Sequence, residues 1–234
     1  MRGRKRVAIV QSNYIPWKGY FDLVRSVDEF VLLDNVQYTK GDWRNRNKIV
    51  TPRGPRWLTI PVLGKGRVDR TIEDTEIAAP WQRKHWTLLT QNYAKAACFK
   101  EMAPRIETLY DSVDGETMLS PINYTFISGI CRLLGIETRI SWSHDYPSVD
   151  GKTERLLTIC AVLGATEYLS GPAARTYLEV TKFQDNGIAV IYADYSGYPE
   201  YPQLHRPFEH GVSIIDLLFN TGSSAPRYMK QLCP

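Results

Sequence analysis

The chain has 234 residues, of which 43% are hydrophobic and 23% charged, and its formal net charge is +4. These are ordinary globular values with enough apolar material for one large core, so a single domain over 1–234 is expected. The modest charge comes with no RNA- or DNA-binding signature, so no nucleic-acid partner is expected, and no run approaches the ~20 apolar residues of a membrane span.

From the N-terminus, a basic cluster at residues 2–6 is either a solvated tail or part of a binding surface. The apolar run 7–10 is too short for a signal peptide and predicts a buried strand. A polar loop follows at 11–16. Residues 19–27 have helical spacing, with Tyr20, Leu23, Val24 and Val27 on one face. Residues 29–34 predict a second strand ending in Asp34. Strand, loop, helix and strand form a βαβ unit. Such units place ligands at the carboxyl ends of their strands.

Residues 38–48 are polar, basic and aromatic and predict a loop over that edge. Residues 57–62 predict a strand ended by Gly64 and Gly66, and 72–77 another. Helical patterning covers 81–93, 99–110 and 121–134, and 138–141 predicts a short strand. A second unit follows: helix 152–163, strand 168–171, helix 173–184 and strand 188–193. The segment 195–210 is rich in Tyr, Pro and His and predicts an irregular cover over the surface or the site. A last helix is expected at 212–219, capped by Ser213 with Asp216 three residues on. The expected fold is α/β, a mostly parallel, Rossmann-like sheet flanked by helices. A degenerate nucleotidyltransferase-like fold is one form of it.

Charge and cysteine usage bound the partners. Residues 1–56 carry 12 Lys/Arg and 5 Asp/Glu, whereas the remainder carries 17 and 20. That asymmetry points to an anionic partner. Cys98, Cys131, Cys160 and Cys233 lack metal-ligand spacing, and the histidines do not cluster with them. Neither a metal nor another cofactor is expected, and a reduced cytoplasm is the default location.

Two motifs carry candidate chemistry. In the first, Gln11, Asn13, Tyr14, Trp17 and Tyr20 surround a strand-to-helix turn. Its polar groups and helix N-terminus suit an anion; local capping explains the same pattern. In the second, Asp34 is followed by Gln37, Lys40, Arg44, Asn45 and Arg46. Arginine forks suit phosphate or carboxylate. In an extended loop, Arg44 and Arg46 are expected to share a side. Asp34 is a candidate base. His85 is a second candidate base, weighed against a structural histidine. Cys160 is a candidate nucleophile, weighed against core packing beside Leu156 and Leu157. Tyr201 and Gln203 can reach over the site.

The first motif stands where nucleotidyltransferases carry His-x-Gly-His. Here it is Trp17-Lys18-Gly19-Tyr20, without either histidine, which weakens adenylyl or cytidylyl transfer. Ser170 and Gly171, with Arg175, resemble the second phosphate motif of the same enzymes.

Across nearly its whole length the chain resembles the WbqC-like family. The resemblance rests on the words QSNYIPWKGYF at 11–21, LDNVQY at 33–38, WRNRN at 43–47 and WLTIPV at 57–62. It continues with KTERLL at 152–157, YLSG at 168–171 and SIIDLLFN at 213–220. Ser12 departs from the family's usual Pro. The resemblance implies a transferase or ligase-like step in bacterial polysaccharide or peptide natural-product biosynthesis, and it assigns no catalytic residue. The expected function is acyl or aminoacyl transfer from a phosphate-bearing small molecule or a carrier-protein thioester. Nucleotidyl transfer, nucleotide-sugar modification and a non-catalytic binding subunit are the alternatives.

Overall fold

Seven helices flank a five-stranded, wholly parallel sheet in the computed structural model, which describes residues 3–64 and 69–232. Arg2, Gly66 and Cys233 lie outside the described residues. The sheet contains β1 (Arg6–Val10), β2 (Glu29–Leu32), β5 (Arg139–Trp142), β6 (Glu167–Ser170) and β7 (Ala189–Tyr192), in the order β5-β2-β1-β6-β7. The fold is α/β and Rossmann-like. Strand order reverses between β1 and β6, and such a reversal opens a crevice at the carboxyl ends.

Alternation along the strands fills both faces. Ala8, Phe30, Leu32 and Leu169 enter the larger core, with α1 (Lys18–Arg25), α2 (Gln82–Tyr93), α3 (Phe99–Asp111), α4 (Leu119–Leu134) and α7 (Ile214–Thr221). Val7, Ile9, Val31 and Tyr168 enter the smaller core, with α5 (Lys152–Val162) and α6 (Val180–Asp185). Both faces of the central strands are dry, which explains their uninterrupted apolar runs.

Basic residues at the chain start are anchored: Arg4 and Arg6 both pair with Glu167, at 2.9 and 2.7 Å. Arg6 is buried, which corrects the solvated-tail reading for that residue, whereas Arg4 stays exposed.

Outside the sheet, β3 (Arg46–Thr51) and β4 (Gly54–Thr59) make an antiparallel hairpin. The predicted strand at 57–62 therefore starts and ends earlier. The chain leaves the ladder near Pro61, which has no N–H to donate. At 72–77 there is no regular strand. Thr71 Oγ1 accepts from Asp74 N and Thr75 Oγ1 donates to Thr71 O, closing a turn instead. The predicted helix 173–184 is broken into a 3-10 turn at Pro172–Thr176 and α6. Ser213 caps α7 as expected, accepting from Ile215 N.

Candidate functional site

The two polar motifs meet over the carboxyl end of β1. Tyr14 N donates to Trp43 O at 3.1 Å. Arg44 Nη1 reaches Ser12 O at 3.3 Å. Asn47 Nδ2 donates to Tyr14 O and Ile15 O at 3.1 and 2.9 Å. These contacts hold Ile15 at φ 37°, left-handed backbone that a β-branched residue adopts only under constraint.

Beneath the surface lies a polar layer around Asp34, which is fully buried. One oxygen accepts from Ser12 N at 2.8 Å and the other from Ser120 Oγ at 2.5 Å. Ser120 Oγ in turn accepts from Trp142 Nε1, and Asn123 Nδ2 ties Ser12 Oγ to Arg44 O. Burial raises the Asp34 pKa, opposed by the serine hydrogen bonds and the Arg44 charge. Arg44 and Asn45 are buried too, and Asn45 Nδ2 donates to Ile60 O. The arrangement is a strut. It fixes the loop; of these groups only Ser120 and Trp142 border a pocket, a separate one shared with Glu73 and His144.

Above it is a cleft of 290 Å³ lined by Asn13, Pro16, Trp17, Trp43, Asn47 and Gly211. Trp17 is packed edge-on by Tyr195 and Tyr198, at 5.3 and 5.5 Å between ring centres. Its indole folds over the first turn of α1, and a Cβ on Gly19 would overlap the ring. Trp43 lies 5.2 Å from Trp57, and both are more than a third exposed. The Arg46 guanidinium sits 4.1 Å above the Trp57 ring, and Lys48 Nζ lies near both indoles. On β3, Arg46 and Lys48 share the face opposite to Asn47 and Ile49, as strand alternation requires.

The expected residues therefore divide. Asn13, Trp17 and Arg46 belong to the cleft or its cationic rim. Lys40 and Gln37 are exposed on the loop, Gln37 bridging to Thr71. Gln11 is half-buried behind the cleft, where its carbonyl accepts from Tyr20 OH, and Tyr20 itself is buried. Tyr14 is in the core, its hydroxyl between His85 Nδ1 and Tyr110 OH. Ser170, at the end of β6, is buried beside Tyr168 OH. Arg44 and Arg46 point to opposite sides, a correction to the shared side expected of an extended loop: the chain turns through residues 41–45, so the two-residue alternation of β3 starts at Arg46 and does not reach Arg44.

The three candidate reactive groups lie elsewhere than expected of reactive groups. His85 Nε2 contacts Thr59 O, so this nitrogen carries the proton and Nδ1 accepts from Tyr14. Burial lowers its pKa to about 4. Cys160 is fully buried in the smaller core and its thiol is pushed up to about 12 by burial. A nucleophile needs thiolate and access, and this environment supplies neither. Asp34 is a strut. Tyr201 and Gln203 do not reach the cleft; both bond to the buried Asp216, which also accepts from Tyr93 OH.

Sequence reasoning missed Lys48, Trp57, Asn47 and Gly211. The shared face of Arg46 and Lys48 was readable only once the hairpin start was known, and Trp43 joins them through the turn at 41–45 rather than through alternation. Gly211 carried no local signal, because it reaches the cleft through tertiary packing: Ser213 N donates to Lys48 O and Ile214 N to Pro16 O.

A Rossmann-like α/β protein with a ligand-sized cleft at the carboxyl end of β1 is the class that fold and site define. The profile of the WbqC-like protein family matches residues 11–228, and the chain belongs to that family. It is 50% identical over 227 residues to "Uncharacterized protein Rv1507c" of Mycobacterium tuberculosis (strain ATCC 25618 / H37Rv), a match covering 97% of this chain and 98% of that protein.

Proposed function

We propose that the protein is a group-transfer enzyme that takes its donor by a phosphate-bearing handle, the group moved being acyl or aminoacyl and the acceptor an amine. The observation that carries this reading is the continuity of the Trp17–Trp43 cleft with the half-buried cations Arg46 and Lys48. An anion beside a small aromatic cleft is the pattern of a phosphate joined to an organic arm. Asn13 offers a carboxamide to orient a carbonyl or amine. Carrier-protein thioesters and nucleotide-linked donors both fit that description. A role in the biosynthesis of bacterial glycans or peptide natural products, the setting that the resemblance to the WbqC-like family implies, is consistent with such a donor.

A second reading, a non-catalytic binding subunit, is favoured by the burial of Asp34, His85 and Cys160. Nucleotidyl transfer has less support. Lys18 and Tyr20 of the degenerate motif are buried, and Lys18 Nζ is engaged by Pro199 O at 3.0 Å.

The test incubates the protein with aminoacyl carrier proteins and nucleotide-linked acyl donors, each with amine acceptors, and follows masses. A new amide that falls at least about ten-fold when Arg46 and Lys48 are both replaced by Ala supports the enzyme. Donor binding without any product moves the protein to the second reading. Neither binding nor product removes both.

A further inference from the structure

Resting on the reading of the cleft as the donor's seat, we propose that the portion held there is a nucleobase. The donor is then a nucleotide derivative rather than the phosphopantetheine arm of a carrier protein.

Size comes first. At 290 Å³ the cleft lies just under the ~300–1,000 Å³ of pockets that enclose drug-sized ligands. It takes one ring system and leaves the rest of the ligand outside, towards the rim.

The walls come second. Trp17 and Trp43 are flat, and Trp17 is immobilised by Tyr195, Tyr198 and the missing side chain at Gly19. Rigid planar walls reward a planar ligand, whereas a flexible aliphatic arm loses rotational freedom on entering. Trp57 is not a second stacking platform, since Arg46 and Lys48 lie over its ring. That arrangement suits one base with its phosphates and not an oligonucleotide, which needs successive open faces.

The polar group comes third. Asn13 Oδ1 is shut off from solvent with no hydrogen-bond partner among the described residues. A buried acceptor without a donor is costly, and Asn13 lines the cleft, so a turn of its carboxamide that brings Oδ1 to a ligand N–H is favoured. Asn47, the other amide of the cleft, is already engaged by Tyr14 O, Ile15 O and Lys48 N. Asn13 is thus the group left to read a ligand. A carboxamide pairs with a donor–acceptor edge, and a nucleobase presents such an edge in the plane of its ring. Arg46 and Lys48 stand beyond Trp43, where the phosphates of a base seated in the cleft emerge.

The experiment titrates the full-length protein with ADP, GDP, CDP, UDP and TDP, with pyrophosphate, ribose 5-phosphate and phosphopantetheine as controls. Binding is followed by calorimetry and tryptophan emission. At least one nucleoside diphosphate is expected to bind about ten-fold or more tighter than pyrophosphate and to quench emission, with the quench reduced in Trp43→Ala. Asn13→Ala is expected to weaken that nucleotide about ten-fold and to leave pyrophosphate unchanged. Asn13→Asp, which keeps the shape and removes the amide donor, covers the case in which Asn13→Ala fails to fold; it is expected to change the ranking of the bases. Nucleotides that bind no better than pyrophosphate overturn the nucleobase and leave the phosphate site standing. Phosphopantetheine tighter than every nucleotide overturns it in favour of the carrier arm. Failure of pyrophosphate and of every nucleotide removes the anion site itself.

Discussion

Within the six residues 43–48, one segment builds two opposite things. Arg44, Asn45 and Asn47 turn inward and are buried, bonding to Ser12 O, Ile60 O, Tyr14 O and Ile15 O. Trp43, Arg46 and Lys48 turn outward, where their rings and charges meet each other and solvent. Each side holds an arginine, Arg44 within and Arg46 without, and for that pair direction alone separates scaffold from ligand surface. A buried cation or amide is held because its neighbours leave it no choice. An exposed cation is there for what arrives. Substitutions on the two sides should therefore fail in different ways: inner ones in stability, outer ones in binding.

Asp34 should give the largest effect. Asp34→Ala leaves Ser12 N–H and Ser120 O–H without an acceptor in a dry layer, at ~1–3 kcal/mol each. A loss of about 4 kcal/mol in urea unfolding is expected. Asp34→Asn retains an acceptor and should cost less, with a pH dependence of its own. Burial raises the Asp34 pKa in the folded state. Its contribution is fully present below the unfolded pKa and is lost as pH rises through the folded one. Asp34→Asn should thus be less harmful at neutral than at acid pH. A stability unchanged by Asp34→Ala would make the inner layer dispensable and erase the contrast.

His85 tests the layer behind Tyr14. Its pKa is lowered to about 4 by burial, from an ordinary value of 6.5. The unfolded chain then binds a proton that the folded one refuses. Stability is complete above pH 6.5 and is lost as pH falls towards about 4. The full shift corresponds to about 3 kcal/mol. His85→Gln should flatten that limb in urea melts collected from pH 7 to pH 4. Parallel curves for the two proteins would mean that His85 takes up its proton without cost in the folded state.

Much of this scaffold was legible in the sequence. The βαβ start, both strand-end motifs and the buried runs 7–10 and 29–32 follow from periodicity, since residues dry on both faces leave unbroken apolar words. Meeting of the two motifs was legible as well, from the rule that ligands and loops gather at carboxyl ends. What each motif residue does there was not. Arg44 and Arg46 have identical chemistry, and their fates differ because the chain turns through residues 41–45 and the regular alternation of β3 begins only at Arg46. His85 and Cys160 look reactive as letters and are silenced by burial that local sequence does not encode. Asp216 was expected as a cap or a buried partner, and it is the latter, but its partners Tyr93, Tyr201 and Gln203, from 123, 15 and 13 residues away, could not be named from local sequence.

Asn47 sits on the boundary between the two sides, since it lines the cleft and also holds the strained turn. Asn47→Ala removes two donors from Tyr14 O and Ile15 O, and about 2 kcal/mol should be lost. Asn47→Asp should be worse than Ala, because a carboxylate would then face two carbonyl oxygens. Thermal melts rank the two variants. The reverse ranking would mean that the turn keeps its shape without that amide.

The smallest effect on stability carries the most information about function. Arg46→Ala and Lys48→Ala remove partly exposed cations resting on indoles, contacts worth ~0.5–1 kcal/mol at exposed sites. The double variant should melt within about 1 kcal/mol of the parent. Its pyrophosphate affinity, if the outer side is a ligand surface, should fall about ten-fold and lose most of its salt dependence, because salt screens exposed charges. Arg44→Ala should show the opposite profile: a clear loss of stability, with any loss of binding following the unfolded fraction. If Arg44→Ala weakened pyrophosphate at temperatures where it stays folded while the outer pair did not, the ligand would lie beneath the loop rather than above it. The strut and the site would then have to exchange roles.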